Sequence, residues 1–308
     1  MPEHIPQRCA VVGATGFQGG AVARLLTDRG HRVRTLTRRA PAERPQLPGV
    51  SCQTGDLADR DAVRRLFEGA THASVVMPLS YDPVLIESYA RHIGDAARES
   101  GVRRIVYNAN TRIPDRTTQV AAFETRRLAE SVLRESGVDL VVLRPPVYLD
   151  NLFSPWNGPA LISEGLLAYP LPTATETAWI SHRDLAEATA AALFAEADGV
   201  VGRTFDIGGE RSLTGDALAA EFALGLGRSV HYEPLPADLF EKGLAQVIGA
   251  EAAAGVAGIY HYMAAGDDPH LMAGDGGEAS RALGTTPQAA DAWVATQPWQ
   301  VWDTPESA

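Results

Sequence analysis

The chain has 308 residues, 45% of them apolar, and a formal charge of −11, which suits one large α/β domain, or a domain with a smaller lobe, around a proper core. The acidic balance argues against a nucleic-acid surface, because phosphate binding needs clustered cations. No apolar run approaches the roughly 20 residues of a membrane span, and the start "MPEHIPQRCAVVG" has no basic region followed by an apolar run and a cleavage site, so the expected location is the cytoplasm. In chain order, "CAVVG" (9–13), "HRVRTLT" (31–37), "GVSCQTG" (49–55), "HASVVMP" (72–78), "RRIVYNA" (103–109) and "VDLVVLR" (138–144) read as strands. Helical patterns fall at 17–29, 59–68, 83–100 and 119–136, with Asp59 as a helix cap. Near-continuous Val/Ile/Leu strands alternating with amphipathic helices predict a doubly wound parallel sheet buried on both faces, a Rossmann-type α/β fold. From Pro145 the Pro- and Gly-rich stretch to Trp179 reads as loops over the carboxyl edge of the sheet, where open α/β sheets bind ligands. Ser181 is expected to cap a helix over 182–194, with a strand near 203–209 and a helix near 214–226. The rest reads as a partly helical lobe. The division that follows is a Rossmann domain over 1–155, rejoined by 179–209, and a smaller substrate-binding lobe from 156–178 and 210–308. Cys9 and Cys52, the only cysteines, lie in β-like runs and read as buried, inert thiols; no metal site is predicted.

"VVGATGFQGGAVARLL" sets Gly13, Gly16 and Gly19 in a GxxGxxG pattern between a strand and a helix. Glycines there permit a tight turn and close approach of a pyrophosphate, which the helix N-terminus holds through its free N–H groups. Thr15, Phe17 and Gln18 complete the loop. After the second strand, where NAD-binding units carry an acidic residue for the ribose hydroxyls, stands "LTRRA". Arg38, helped by Thr37 and Arg39, suits a 2′-phosphate through its planar donor fork, and NADP(H) is the expected cofactor. Asp56 and Leu57 are placed beside the adenine, although Asp56 also fits a turn. Met77 and Pro78 at the end of the fourth strand, Asn108 at the end of the fifth and Pro146 after the sixth complete the expected cofactor contacts.

With these residues in hand, the chain resembles the NmrA-like group of atypical short-chain dehydrogenases/reductases. The matching stretches are "VVGATGFQGG", "TRR", "GDLAD", "LAESVLRESGVDLVVLRPPVYLDN", "WISHRDLAEATAAAL" and "GRTFDIGGERSLTGDALAAEFALGLGR", in family order; "LGTTPQAADAWV" fits more loosely. The resemblance implies the fold and NADP(H) more firmly than an activity, since the group includes reductases of quinones, dyes and phenolic ethers beside NADP-sensing regulators.

In ordinary members of the larger superfamily, a YxxxK pair on the helix before the sixth strand supplies the acid and its lysine partner, the i,i+4 spacing putting both on one face. In "AAFETRRLAE" the corresponding residues are Ala122 and Arg126. No frame slip restores the pair, because the only lysine is Lys242 and the residue four before it is Asp238. An arginine cannot exchange protons usefully. Arg126 therefore either hydrogen-bonds a ribose or substrate oxygen or is an exposed helix residue paired with Glu130. The usual serine after the fifth strand is also missing; Asn110 and Thr111 in "YNANTR" could bond a carbonyl but are not acids. Losing a positioned acid forfeits about 10²–10⁴ in rate, prohibitive for a simple ketone and tolerable for an acceptor that takes hydride first.

On the substrate side, Tyr148, Asn151, Phe153 and Trp156 in "RPPVYLDNLFSPWNG" are placed around a flat aromatic pocket, with Tyr81 in "SYDP" closing from the other side; packing aromatics are the alternative for Phe153 and Trp156. Tyr148 and His182 are the candidate replacement acids. Expected partners are a flat small molecule and, at most, a second copy of the chain. The leading reading is an NADPH-dependent reductase of an electron-poor aromatic or conjugated compound, with secondary metabolism as a setting; the alternatives are a redox sensor without turnover and a redox-neutral cyclase or isomerase.

Overall fold

The computed structural model describes residues 5–43, 47–196, 199–275 and 277–302. Its centre is a parallel sheet of seven strands in the order β3-β2-β1-β4-β5-β6-β8. The strands are β1 (Arg8–Val12), β2 (Arg32–Thr37), β3 (Val50–Thr54), β4 (His72–Val76), β5 (Arg104–Asn108), β6 (Asp139–Leu143) and β8 (Thr204–Phe205). Chain order runs outward from β1 to β3 and then restarts at β4 on the other side of β1, so the switch point lies between β1 and β4.

The strand period of two divides the core between two faces. Ala10 and Val12 of β1, Ile105 and Tyr107 of β5, and Leu140 and Val142 of β6 face one side, under α2 (Arg60–Phe67), α3 (Pro83–Glu99) and α4 (Ala121–Glu135). Cys9, Val11, Val106, Val141 and Leu143 face the other, under α1 (Phe17–Asp28) and α6 (His182–Phe194). α1 and α6 pack on each other through short side chains, Ala21, Ala23, Ala186 and Ala190 among them. Asp59 caps α2 through the N–H groups of Asp61 and Ala62, and Ser181 caps α6 through that of Asp184.

The segment after β6 is more ordered than its composition predicts. It contains α5 (Gly158–Glu164) and β7 (Leu166–Tyr169), and β7 pairs in parallel with β9 (His231–Pro234). The strand expected over 203–209 is confined to Thr204–Phe205, because Arg112 donates to the carbonyls of Asp206 and Ile207 and occupies the acceptors that a sheet neighbour would use. The remainder forms α7 (Gly215–Leu226), a hairpin of α8 (Ala237–Ile248) and α9 (Ala250–Ala265), α10 (Glu278–Leu283) and α11 (Ala290–Thr296). Among the described residues no helix is long and apolar enough to cross a membrane. Cys9 is buried and its thiol is pushed up to about 12 by burial, but Cys52, expected to be buried, is only partly covered.

Candidate cofactor groove and active site

A groove of about 730 Å³ opens at the carboxyl ends of β1, β2 and β4, the position that the switch point dictates. Gly13, Thr15, Gly16, Phe17, Gln18 and Gly19 form one wall, with Thr37, Arg38, Asp56 and Leu57 at one end and Met77, Pro78 and Asn110 at the other. Gly13 has φ +86°, and a Cβ there would stand 2.6 Å from Val76 Cγ1. A Cβ on Gly19 would come within 2.4 Å of the Gly13 carbonyl oxygen, so the absence of both side chains lets α1 press against the loop. Gly16 caps α1 with no side-chain acceptor, and the first turn carries no acidic residue. The N–H groups at that end are therefore available to an anion, which is the chemistry of a dinucleotide pyrophosphate.

At the β2 end the Arg38 side chain is 81% exposed, and its closest carboxylate, Asp56, stands 3.9 Å away. Asp56 is mainly a turn residue, accepting the Ala58 N–H at 2.8 Å. Thr37 is buried and accepts the Arg39 N–H at 3.3 Å. The guanidinium of Arg38 is thus exposed at this end of the groove. Leu85 and Tyr89, one turn apart on α3, and Ile248 and Ala252, at the α8–α9 junction, also line the groove. The sequence reading missed all four. The i,i+4 spacing of Leu85 and Tyr89 was the one available signal.

At the β4–β5 end the groove meets a set of hydrogen-bonded amides. Asn110 has φ +65°, alone among the described non-glycine residues in positive φ. Its backbone N–H donates to Asn108 Oδ1 at 2.8 Å, Asn108 Nδ2 donates to Gln18 Oε1 at 2.8 Å, and Gln18 Nε2 donates to Asn110 Oδ1. Tyr148 joins from beneath, donating to Gln18 Oε1 at 3.1 Å. It is only 4% exposed, and burial raises its pKa above the ordinary tyrosine value. That makes it a weaker acid than a free phenol. The His182 ring lies 4.8 Å from the Tyr148 ring and its Nδ1 is 3.3 Å from Asp150 Oδ1, so this second candidate acid is also engaged.

The YxxxK positions hold no acid. Ala122 is buried, and Arg126, 2% exposed, donates to the carbonyl oxygens of Pro78 at 3.0 Å and Ser80 at 3.1 Å. Tyr81 lies 5.2 Å from its guanidinium carbon. This corrects the picture of an exposed helix arginine paired with Glu130, which bonds Arg134 and Arg144 instead. Arg126 holds the loop behind the groove and is not one of the residues lining it.

The expected substrate residues are dispersed. Thr111 is buried with its hydroxyl unpartnered, and Asn151 donates to Tyr169, whose hydroxyl lies 2.6 Å from that of Tyr260. Phe153 packs edge-on against Trp299 and Trp302, and Trp156 is 55% exposed, so neither forms a pocket wall here; both follow the packing alternative or lie outward. Tyr81 is pressed between Arg126 and Gly255 of α9, where even a Cβ would collide with its ring. Asn108 and Pro146 are buried behind the groove rather than on its wall.

A second cleft, of about 850 Å³, opens at the amino end of the sheet. Its arginines are already engaged: Arg29 with Glu187, Arg98 with Asp95, Arg103 with Gln7, and Arg104 with carbonyls at the end of α6.

Comparison with known proteins places this site in a family. The NmrA-like family model matches residues 6–270. The chain belongs to the NmrA-like family. This NmrA-like protein is 30% identical over 234 residues to a (4-alkanoyl-5-oxo-2,5-dihydrofuran-3-yl)methyl phosphate reductase of Streptomyces griseus, covering 76% of this chain and 79% of the relative. Among solved structures, the Citrobacter sp. triphenylmethane reductase complexed with NADP(H) superposes with a TM-score of 0.72 at 20% identity, covering 94% of this chain and 99% of that one. NmrA, a negative transcriptional regulator in complex with NADP, does so with a TM-score of 0.70 at 18% identity, covering 96% and 99%. At these identities the structural likeness concerns the fold.

Proposed function

We propose that this NmrA-like protein is an NADP(H)-dependent oxidoreductase that delivers hydride to an electron-poor conjugated or aromatic small molecule. The observation that carries this reading is the composition of the groove: a glycine-lined phosphate cradle, an exposed and only loosely paired arginine at one end, and uncharged amides with no accessible acid at the other. Residues 1–155 and 179–209 supply the cofactor half, and 156–178 with 210–308 the substrate half. The Gly13–Gly19 loop and the start of α1 hold the pyrophosphate, Arg38 takes the 2′-phosphate, and Met77, Pro78 and Asn110 flank the nicotinamide. NADPH supplies a hydride when bound. Without a tyrosine at position 122, the proton comes from water after the hydride has moved, which only an acceptor of intrinsic electrophilicity permits. The Streptomyces relative supports this, since its named substrate is an acylated unsaturated lactone.

The buried Ala122, together with the likeness to a regulator, favours a second reading, an NADP(H) sensor without turnover. Loss of nicotinamide absorbance in the presence of quinones, enones, cationic dyes and simple ketones separates the two. Consumption with the electron-poor acceptors alone supports the reductase; saturable NADPH binding with no consumption on any acceptor moves the assignment to the sensor.

A further inference from the structure

The amides at the nicotinamide end of the groove have only one self-consistent orientation. A backbone N–H can only donate, so the bond from Asn110 N to Asn108 at 2.8 Å fixes the oxygen end of the Asn108 amide. The Asn108 Nδ2 end must then find an acceptor, and it meets Gln18 at 2.8 Å, which fixes Gln18 Oε1 there. Gln18 Nε2 is left facing Asn110, where only an oxygen can receive it. The remaining group is Asn110 Nδ2. Asn110 lies on the groove wall, and no acceptor among the described residues takes this amine. Tyr148 locks the arrangement from below, donating to Gln18 Oε1 and receiving Asn108 Nδ2 at 3.4 Å.

Three more observations indicate that this orientation is built in. Asn110 is held at φ +65°, a region that costs a non-glycine residue energy and that asparagine tolerates better than most. Its two partners, Gln18 of α1 and Asn108 of β5, are both bonded in turn by Tyr148 from the turn after β6, so the surroundings over-determine it. No member of the network is charged, so the donor is a neutral N–H and does not change character with pH near neutrality.

Building on the hydride-transfer reading, we infer that Asn110 Nδ2 is the hydrogen-bond donor to the carbonyl oxygen of the hydride acceptor, with Gln18 and Asn108 as positioning residues that turn its N–H into the groove. This narrows the acceptor class to conjugated carbonyl compounds (quinones, enones, unsaturated lactones) over cationic dyes that carry no carbonyl. In the step that follows, the hydride forms a C–H bond at the electrophilic carbon and the π pair moves to the carbonyl oxygen. NADPH is oxidised to NADP⁺, and the enolate oxygen held by Asn110 is later protonated by water, directly or through its α-carbon. A donor aimed at such an oxygen is worth about 10²–10³ in kcat.

The test compares the full chain with Asn110→Asp, which keeps the acceptor for Gln18 and removes the donor, and Gln18→Glu, which cannot donate to Oδ1 and so lets the Asn110 amide turn over. Each is assayed with NADPH at saturation, using a naphthoquinone, an enone and a triphenylmethane dye. The infrared carbonyl stretch of the naphthoquinone is also read in the NADP⁺ complex. The expected result is a fall in kcat of about 10²-fold on the carbonyl acceptors for either variant. The double variant should be no worse than the single ones, and the carbonyl band should be lowered only in the parent. A band equally lowered in both variants overturns the assignment and leaves hydride transfer standing. So does a loss of NADPH affinity in Asn110→Asp with kcat intact, which would give the amide to the cofactor. A lowered band in the parent that is lost in the variants, with no NADPH consumed on any acceptor, sinks the reductase reading while upholding Asn110 as the carbonyl donor.

Discussion

Two arginines, Arg126 behind the groove and Arg38 at its β2 end, differ in kind. Arg126 is buried, and its planar fork satisfies two carbonyls that no sheet or helix bond reaches. Arg126→Ala strands both acceptors away from water and should cost about 3 kcal/mol in urea unfolding. It should also weaken NADPH binding, because Pro78 and Ser80 line the groove. Arg126→Lys should recover only part of the stability, as a point charge cannot reproduce the fork; full recovery would show that charge alone matters. Arg38 is the reverse case, exposed and only loosely paired. Arg38→Ala should leave the unfolding midpoint unchanged and reduce NADPH affinity about tenfold or more, the worth of a charge-assisted bond of about 1.5–3 kcal/mol. NADH affinity should not move. Equal affinities for the two cofactors in the parent would remove Arg38 from the phosphate role.

At the scale of elements, the β1–α1 unit is where sequence and structure coincide most closely, because its constraints are local. A Cβ on Gly19 meets the Gly13 carbonyl at 2.4 Å and has only backbone to push against. Gly19→Ala should therefore displace α1 from the loop and abolish measurable NADPH binding, with a stability loss on the order of 2 kcal/mol. Cofactor titration alongside thermal unfolding tests this, and retained binding would show that the loop yields. The six strands from β1 to β6 were legible for a similar reason, since each is a short run containing β-branched residues, and β1, β3, β4 and β5 lead directly into helices. The β7–β9 pair was not. "LLAY" and "HYEP" are four residues each and find each other only through tertiary packing, Leu166 opposite His231. The contribution of the α8–α9 hairpin to the groove was hidden too, because alanine-rich α9 shows little periodicity. The amide network joins Gln18, Asn108, Asn110 and Tyr148 across the chain. Sequence reading selected all four residues, but a hydrogen-bond direction is a property of the fold, not of spacing.

For the whole molecule, the parallel sheet separates a binding end from an end that answers to pH. His72 opens β4 at the amino edge, 7% exposed, its ring edge-on to Phe194 at 5.0 Å. Burial, then the charges of Arg103 and Arg104 and the neighbouring His31, lower its pKa to about 4. An unfolded histidine titrates near 6.5, so between these values the unfolded chain binds a proton that the folded one refuses, and stability rises with pH. The contribution is complete above about 6.5 and is lost as pH falls toward 4. Allowing for solvent in the adjoining cleft, it is on the order of 2 kcal/mol. His72→Asn keeps a polar group for Thr71 Oγ1, which lies 3.0 Å from the imidazole Nδ1, and removes the titration. The melting temperature of the variant should therefore fall less than that of the parent between pH 7 and pH 4, while NADPH affinity at pH 7 stays the same because the groove lies at the opposite ends of the strands. Parallel melting curves for the two proteins across that range would assign the acid sensitivity elsewhere, and a coupled loss of NADPH binding would mean that the sheet transmits strain between its ends.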